Sequence, residues 1–561
     1  MKKTVYLWVL VILLFLSACS SSASTSGEKE VKLPVTADLP KDRKVGEIIL
    51  NVPTKEEDFV QHEYGFLLAE EWKKLGLDVI VEPLNEDSLS RLTENESDFD
   101  AMTGIWHGQA EKFDPDFFIY RTLHSTLTAT NGDNKTGYKN PDYDVLAEGQ
   151  RTTLNQTERK EIVTKAEDLF LEDIPYAPVI HRALLMAYNE EKFTNFQYGS
   201  EEGLNSFWTF MAIEPTGLNK YVRWAYPREI ESLNPLASTS MQDFQVTRLI
   251  YDTLVKITDS GEPENWGAKS VEDANGDGLT YLITLREGMK FHDGKKVTAK
   301  DVQFSFNLVK EVDSAAFSHL VEVVDKVEVV DELSVQITLK EAFAPFVNQT
   351  LSQLYIFPQH YWGPILEKEG PKGVIENKNE QPIGSGPFKL AYWEHGKELK
   401  LDADNGHFSP AKVNGILRIL YSDTEAMLSA VKNGQAEIGG VSLLPEQAER
   451  IKDAQTLQIA HVPTIGLDHI IYNNRIKPFD DKALRKALTL SIPKETIVEE
   501  ILQGAGKPAN SLISPANGKW HSPDLNGYEY NLTSAVDTLK EAGYKWDEKG
   551  KLYYPEGKAK N

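Results

Sequence analysis

The chain has 561 residues, 41% of them hydrophobic and 26% charged, with a formal net charge of -25; this is the make-up of a globular protein of roughly two to four domains. A surface so acidic, with no basic cluster for phosphate contacts, excludes a nucleic-acid function. Cys19 is the single cysteine, which excludes a disulfide within the chain.

Lys2 and Lys3 precede an apolar run from Val5 to Leu16 that ends in Leu16-Ser17-Ala18-Cys19. A helix needs about 20 apolar residues to cross a bilayer, so this shorter run reads as the core of an export signal over residues 1–19. Its last residues read as a lipobox, with Cys19 the lipidated residue. Residues 20–42 are rich in Ser, Thr, Gly and charge without apolar periodicity, which suits a flexible tether.

A strand is expected over Glu47–Val52, then a helix with Val60, Tyr64, Leu67, Leu68, Trp72 and Leu75 on its apolar face, stopped by Gly76, then a strand over Leu77–Val81. Such β-α-β units build sheets covered by helices. A second helix spans about Thr157 to Glu172, with Ile162, Val163, Ala166, Leu169 and Phe170 on one face and Pro175 as its stop. Further on, Leu279–Leu285 alternates as a strand and Asp293-Gly294 turns. Thr298 and Asp301 open a capping-box helix through Val302, Phe306 and Val309. Lys326–Val330 and Ser334–Leu339, joined at Asp331-Glu332, form a hairpin.

Asp273, Asn275, Asp277 and Gly278 imitate the start of a calcium loop, but Thr284 stands where the bidentate glutamate belongs and strand-like residues follow, so the segment reads as a turn. Catalytic patterns fail on specific grounds. Gly384-Ser385-Gly386 is no nucleophile elbow, and Ser429 to Lys432 gives S-x-x-K without its companion motifs. Gly504 to Lys507 lacks the Walker spacing, and there is no H-E-x-x-H and no cysteine pair. The expectation is therefore a chain that is not an enzyme and holds no cofactor or metal.

From Tyr221 onward several blocks carry a family likeness: LNPL at Leu233, IYDTL at Ile250, LREGMKFHDGKKVTAKDVQFSF from Leu285 to Phe306, PIGSGPFKL from Pro382 to Leu390, GQAEIG from Gly434 to Gly439, and KPFDDKALRKAL from Lys477 to Leu488. Together they resemble the family 5 solute-binding proteins, the dipeptide- and oligopeptide-binding class of ABC importers. Residues 47 to about 215 resemble the part of the same family that normally comes last, in FDAMTGIWHG, FDPDFFIYRTLHS, GYKNPDYDVLAEG and LEDIPYAPVIHR. Each block occurs once, and Ala542-Gly543-Tyr544 would normally run on into the strand that here starts near Glu47. The reading that covers both facts is a circular permutation, with the old ends joined near Glu214 to Lys220.

The resemblance implies an α/β, two-lobed periplasmic-binding-protein-like fold, large, of type II with an extra accessory domain, closing on its ligand by hinge motion. It assigns residues 262–383 to the accessory domain, 190–261 and 384–474 to the base lobe, and 43–189 with 475–561 to the second lobe. It implies a monomer, lipid-anchored outside the cytoplasm, that binds a peptide and passes it to ABC permease subunits with their ATPases. The same role for a nickel complex, haem or oligosaccharide stays open, as does a sensory or adhesive lipoprotein.

In the family the acid that holds the ligand's α-amino group follows a tryptophan, here Trp106. At the matching offset this chain has the neutral Gln109, and the next acids, Glu111 and Asp114, follow a longer loop. Trp106 is a candidate aromatic wall for the cleft, although large aromatics also serve as core. His107 is a candidate ligand contact or a plain surface histidine. Ser238, Thr239, Ser240 and Met241 match the strand that lines the family's cleft, and read alone as a polar loop.

Overall fold

The computed structural model describes residues 31–128, 132–218, 220–238, 240–452 and 455–558, so the export segment, Cys19 and the first part of the tether lie outside the described residues.

The chain begins with the expected β-α-β unit. Strand β1 (Ile48–Pro53) leads to helix α1 (Phe59–Lys74), which Asp58 starts by accepting from the amide of Gln61. Val60, Tyr64, Leu68 and Trp72 are buried on the face that the 3.6-residue spacing selects. Gly76 takes φ 91°, and a Cβ there would stand 2.3 Å from the carbonyl of Gly550, so only glycine fits this stop. Strands β2 (Val79–Leu84) and β3 (Ala101–Trp106) then pair parallel to β1 on its two sides.

Helix α2 (Gln156–Asp173) buries Val163, Ala166 and Phe170 as the periodicity requires, but Arg159 and Glu167 lie on the same buried face. Glu167 Oε1 accepts from the amides of Leu512 and Ile513, at 3.1 and 3.2 Å, while Oε2 has no partner among the described residues. Burial pushes this carboxyl up from its ordinary 4.5 to about 8. The folded chain thus keeps a proton that the unfolded chain releases, so the group costs stability progressively as pH rises from 4.5 to about 8. Glu167→Gln keeps the acceptor and removes the charge. It is expected to exceed the wild type by up to about 5 kcal/mol at alkaline pH and to match it near pH 4.5, read from urea midpoints at both ends of the range.

After α2 comes β4 (Tyr176–Asn189), the longest strand, followed by β5 (Tyr221–Tyr226) and helix α3 (Met241–Ile250). A separate four-stranded antiparallel sheet holds β6 (Ala268–Asp273), β7 (Thr280–Leu285), β8 (Val324–Val329) and β9 (Ser334–Leu339), in the order β6-β7-β9-β8. Between β7 and β8 runs helix α4 (Ala299–Val312), with both capping-box bonds of Thr298 and Asp301 in place. In the turn before β7, Asp273 accepts from the amides of Gly276 and Gly278, so its carboxylate caps backbone.

The remaining strands of the large sheet are β10 (Phe388–Glu394), β11 (Glu398–Ala403), β12 (Gly415–Leu420), β13 (Ile438–Gly439), β14 (Leu457–Pro463), β15 (Leu467–Tyr472) and β16 (Gly506–Pro508). They complete a twelve-stranded sheet in the order β10-β11-β12-β5-β13-β4-β15-β3-β1-β2, with β14 and β16 also paired to β4. β4 belongs to both halves of this sheet: residues 176–180 pair with β15 and residues 183–189 with β14. The chain therefore crosses between two lobes along β4 and again from β14 through Thr464–Gly466 into β15. Thr464 Oγ1 donates to the carbonyl of Arg182, and His181 Nδ1 meets the carbonyl of Gly466 at 2.8 Å, tying the two crossings together.

A short hairpin of β17 (Lys545–Trp546) and β18 (Leu552–Tyr553) lies against the first described residues. Val35 bridges to Trp546 and Lys44 to Tyr553, the amide of Val45 donates to the carbonyl of Leu552, and the Arg43 guanidinium donates to the carbonyl of Tyr554 at 2.6 Å. Between β4 and β5, Glu214–Pro215 pairs with Phe193–Thr194, Leu218 is fully exposed and β5 starts at Tyr221.

Candidate functional site

A cleft of about 1140 Å³ opens where the lobes meet. Its floor is the double crossing, Arg182, Ala183, Leu184 and Met186 on β4 together with Thr464 and Gly466; one jaw presents Trp106, His107 and Gln109, and the other Ser238, Ser240 and Met241.

Trp106 reaches the cleft because it is the last residue of β3, paired with Leu467 at the start of β15 beside the crossing. Its indole stacks on His469 at 5.2 Å and meets the edge of Phe117 at 5.4 Å, so the ring is fixed by a second layer of aromatics while it remains part of the wall. The turn after it is organised by Lys112, a buried ammonium that donates to the carbonyl of His107 at 2.7 Å and to Gln109 Oε1 at 2.5 Å, and lies over the Phe117 ring. Desolvation holds Lys112 below the usual lysine range. His107 faces the cleft. Although the side chain is exposed, the desolvating walls of the cleft and then the positive charges of Lys112 and Arg182 push its imidazole below the ordinary histidine range.

Across the gap, Ser238 Oγ donates to Asp243 Oδ2 at 2.6 Å and accepts from the amide of Ser240, while Asp243 Oδ1 accepts from the amide of Glu231. These bonds shape the entry to α3, of which Met241 is the first residue. Thr239 lies outside the described residues. Two expected anchors do not reach the cleft. Asp114 is 1% exposed and clamped by Arg159, whose Nη1 and Nη2 donate to its two oxygens at 2.9 and 2.5 Å; it is a structural counter-ion. Glu111 is carried away from the wall on the 3₁₀ turn Ala110–Phe113 and stands 4.0 Å from Lys112.

Several wall residues have no counterpart in the sequence reading. Arg182, in the floor, is bound by Asp468 at 2.5 Å and Asp58 at 2.9 Å, and these carboxylates hold its guanidinium above the ordinary arginine range despite burial. Glu201, Glu202 and Gln245 line the same region. Adjacent acids between glycines, Gly199-Ser200-Glu201-Glu202-Gly203, are the one local signal that pointed to them. Glu86, Asp87, Glu229 and Glu231 add to the wall, against the single further cation Arg228, so the cleft is acidic overall. Among the described residues, no group of three or more His, Cys, Asp or Glu is placed to hold a metal ion, and no helix is long and apolar enough to cross a membrane.

A sequence profile described as bacterial extracellular solute-binding proteins, family 5, middle part, matches residues 262–560, more than half of the chain. The chain belongs to this family. The oligopeptide-binding protein AppA of Bacillus subtilis is 30% identical over 322 residues, covering 56% of this chain and 57% of that protein. The dipeptide-binding protein of Escherichia coli is 26% identical over 335 residues, covering 56% and 61%. The chain thus spans about three fifths of the length of these relatives. The solved structure of the Bacillus subtilis oligopeptide-binding protein AppA in complex with a nonapeptide matches with a TM-score of 0.50 at 26% identity, over 61% of this chain and 68% of that one. Family membership and this match agree with the two-lobed α/β architecture of the periplasmic binding proteins described above.

Proposed function

We propose that this chain is the substrate-binding lipoprotein of an ABC importer, which captures oligopeptides or dipeptides outside the membrane and hands them to the permease and its ATPases. The observation that carries the reading is the cleft of about 1140 Å³ in a family 5 chain, with Trp106 on one jaw and Ser238, Ser240 and Met241 on the other. Its volume exceeds the range of small-ligand sites, about 300–1,000 Å³, which suits an extended ligand. An aromatic wall covers peptide backbone at little entropic cost, and hydroxyls and carbonyls on the facing jaw satisfy it without reading sequence. Mass spectrometry of small molecules released on denaturing the purified protein is the test: peptides are expected, and a sugar or metal complex with no peptide would overturn the assignment.

The same reading includes lipidation at Cys19, a monomer held at the outer face of the membrane, a circular permutation, and a tether shorter than the expected 20–42, because Val35 and Thr36 already dock on Trp546. Residues 43–189 and 475–561 form one lobe in it, 190–261 and 384–474 the base lobe, and 262–383 the accessory domain. Support comes from the two seams, where the first described residues pair with the hairpin 545–553 while the opposite link around Leu218 is exposed. A chain opened at residue 218 and closed by a short linker from residue 558 to residue 43 is expected to fold and to bind the same ligands. An unfolded product would sink the permutation.

A further inference from the structure

Glu201 and Glu202 follow one another on a loop closed by the reciprocal Gly199–Gly203 bridge, and both line the cleft. Their side chains have different fates. Glu202 is saturated: Arg248 Nη1 and Nη2 donate to its two oxygens at 2.8 and 2.9 Å, and Gln245 Nε2 donates at 2.7 Å. The last bond settles the Gln245 amide, because only its NH₂ can face a carboxylate. Gln245 Oε1 is left without a donor among the described residues, on a side chain 1% exposed.

Glu201 is 7% exposed, and its Oε2 likewise has no donor among the described residues. The Arg248 guanidinium spends its Nη atoms on Glu202 and on the carbonyl of Asn205, and its Nε makes no hydrogen bond to Glu201 or to any other described residue. The position is built for this carboxylate: a Cβ on Gly199 would stand 2.1 Å from Oε2 and 2.4 Å from Oε1. It also abuts the Trp106 turn, since a Cβ on Gly108 would stand 2.4 Å from the Glu201 carbonyl oxygen. Desolvation, then Asp259, push the carboxyl up to about 7, the cost of leaving an acid buried without a counter-ion.

We infer that Glu201 and Gln245 form a subsite for an organic cation, the ammonium or guanidinium group of the bound peptide. The inference rests on the peptide-binding reading and names the chemistry that reading leaves open. Two buried oxygens in one cleft wall, both lacking donors, are complementary to a group that has donors only, and an arriving positive charge offsets the burial cost of the Glu201 carboxylate. An apolar or anionic group at the same place leaves both oxygens unserved, and a neutral donor serves them without offsetting the charge.

The test measures Kd by calorimetry for tetra-alanine with a free and an acetylated N-terminus, and for an acetylated tetrapeptide carrying lysine or its uncharged isostere norleucine. Wild type is expected to prefer the cationic member of at least one pair by about tenfold or more; the pair that responds says whether the α-amine or a side chain occupies the subsite. Glu201→Gln removes the charge at nearly constant shape, and Gly199→Ala displaces the carboxylate with the charge retained. Both are expected to bring the responding ratio towards one. A wild type that binds all four peptides without preference, or variants that keep the wild-type ratio, would overturn the subsite alone. A wild type that binds none of the four overturns the peptide reading and the subsite with it.

Discussion

Replacing Arg159 by methionine is expected to lower the stability of the protein by about 3–5 kcal/mol, with the loss read from urea or guanidinium midpoints. Arg159 is fully buried, its guanidinium lies 4.9 Å from the centroid of the Trp520 ring, and its donors are used on Asp114 and on the carbonyl and side-chain oxygen of Gln150. Methionine fills much of the same volume, so the main effect is electrostatic. Asp114, 1% exposed, is left as a buried carboxylate without its cation, and Asp116 stands beside it, its carboxyl already raised by burial. The double variant Arg159→Met with Asp114→Leu removes both charges and is expected to recover most of the loss, because a buried ion pair replaced by apolar groups of similar size is close to neutral in stability. A single variant that cost less than about 1 kcal/mol would mean that water reaches Asp114 and that the pair is no structural clamp.

The same pair shows where sequence reading reaches and where it stops. The β1-α1-β2 unit, the capping box at Thr298 and the hairpin β8–β9 are legible because each depends on residues within one turn or one strand of each other. Trp106 and the Ser238–Met241 segment were found through block resemblance, and the structure brings them to one cleft although more than a hundred residues separate them. Asp114 is a candidate anchor by sequence because it is one of the next acids after Trp106 in the family block. Its partner Arg159 sits on α2 amid Val163, Ala166 and Phe170, where local periodicity shows an apolar face and not a charge turned inward. Glu201 and Arg182 were missed for the converse reason: whether a charge is paired is decided by Arg248, Asp58 and Asp468, all brought in by tertiary structure.

Trp546→Ala is expected to cost a further large amount, about 3–5 kcal/mol, although the residue stands on a two-residue strand near the end of the described chain. The indole is fully buried and its Nε1 donates to the carbonyl of Leu75 at 2.8 Å, one of the last carbonyls of α1 and one that the helix cannot satisfy itself. Its own carbonyl accepts from the amide of Thr36 at 2.7 Å, and the neighbouring strand sends the Leu552 amide to the carbonyl of Gly76 at 2.9 Å. Three segments therefore meet at residue 546: the ring holds the end of α1, and the backbone joins the start of the described chain and the closing hairpin. Alanine leaves a cavity and an unserved carbonyl at once. Because two residues per strand cannot hold a hairpin by themselves, residues 31–45 and 545–558 are expected to lose amide protection together, which hydrogen exchange reads directly. Separate loss in only one of the two segments would mean that they do not dock on each other. Joint loss is the behaviour expected of two terminal segments that hold each other in place, whereas Leu218, in the link after Glu214–Pro215, is fully exposed.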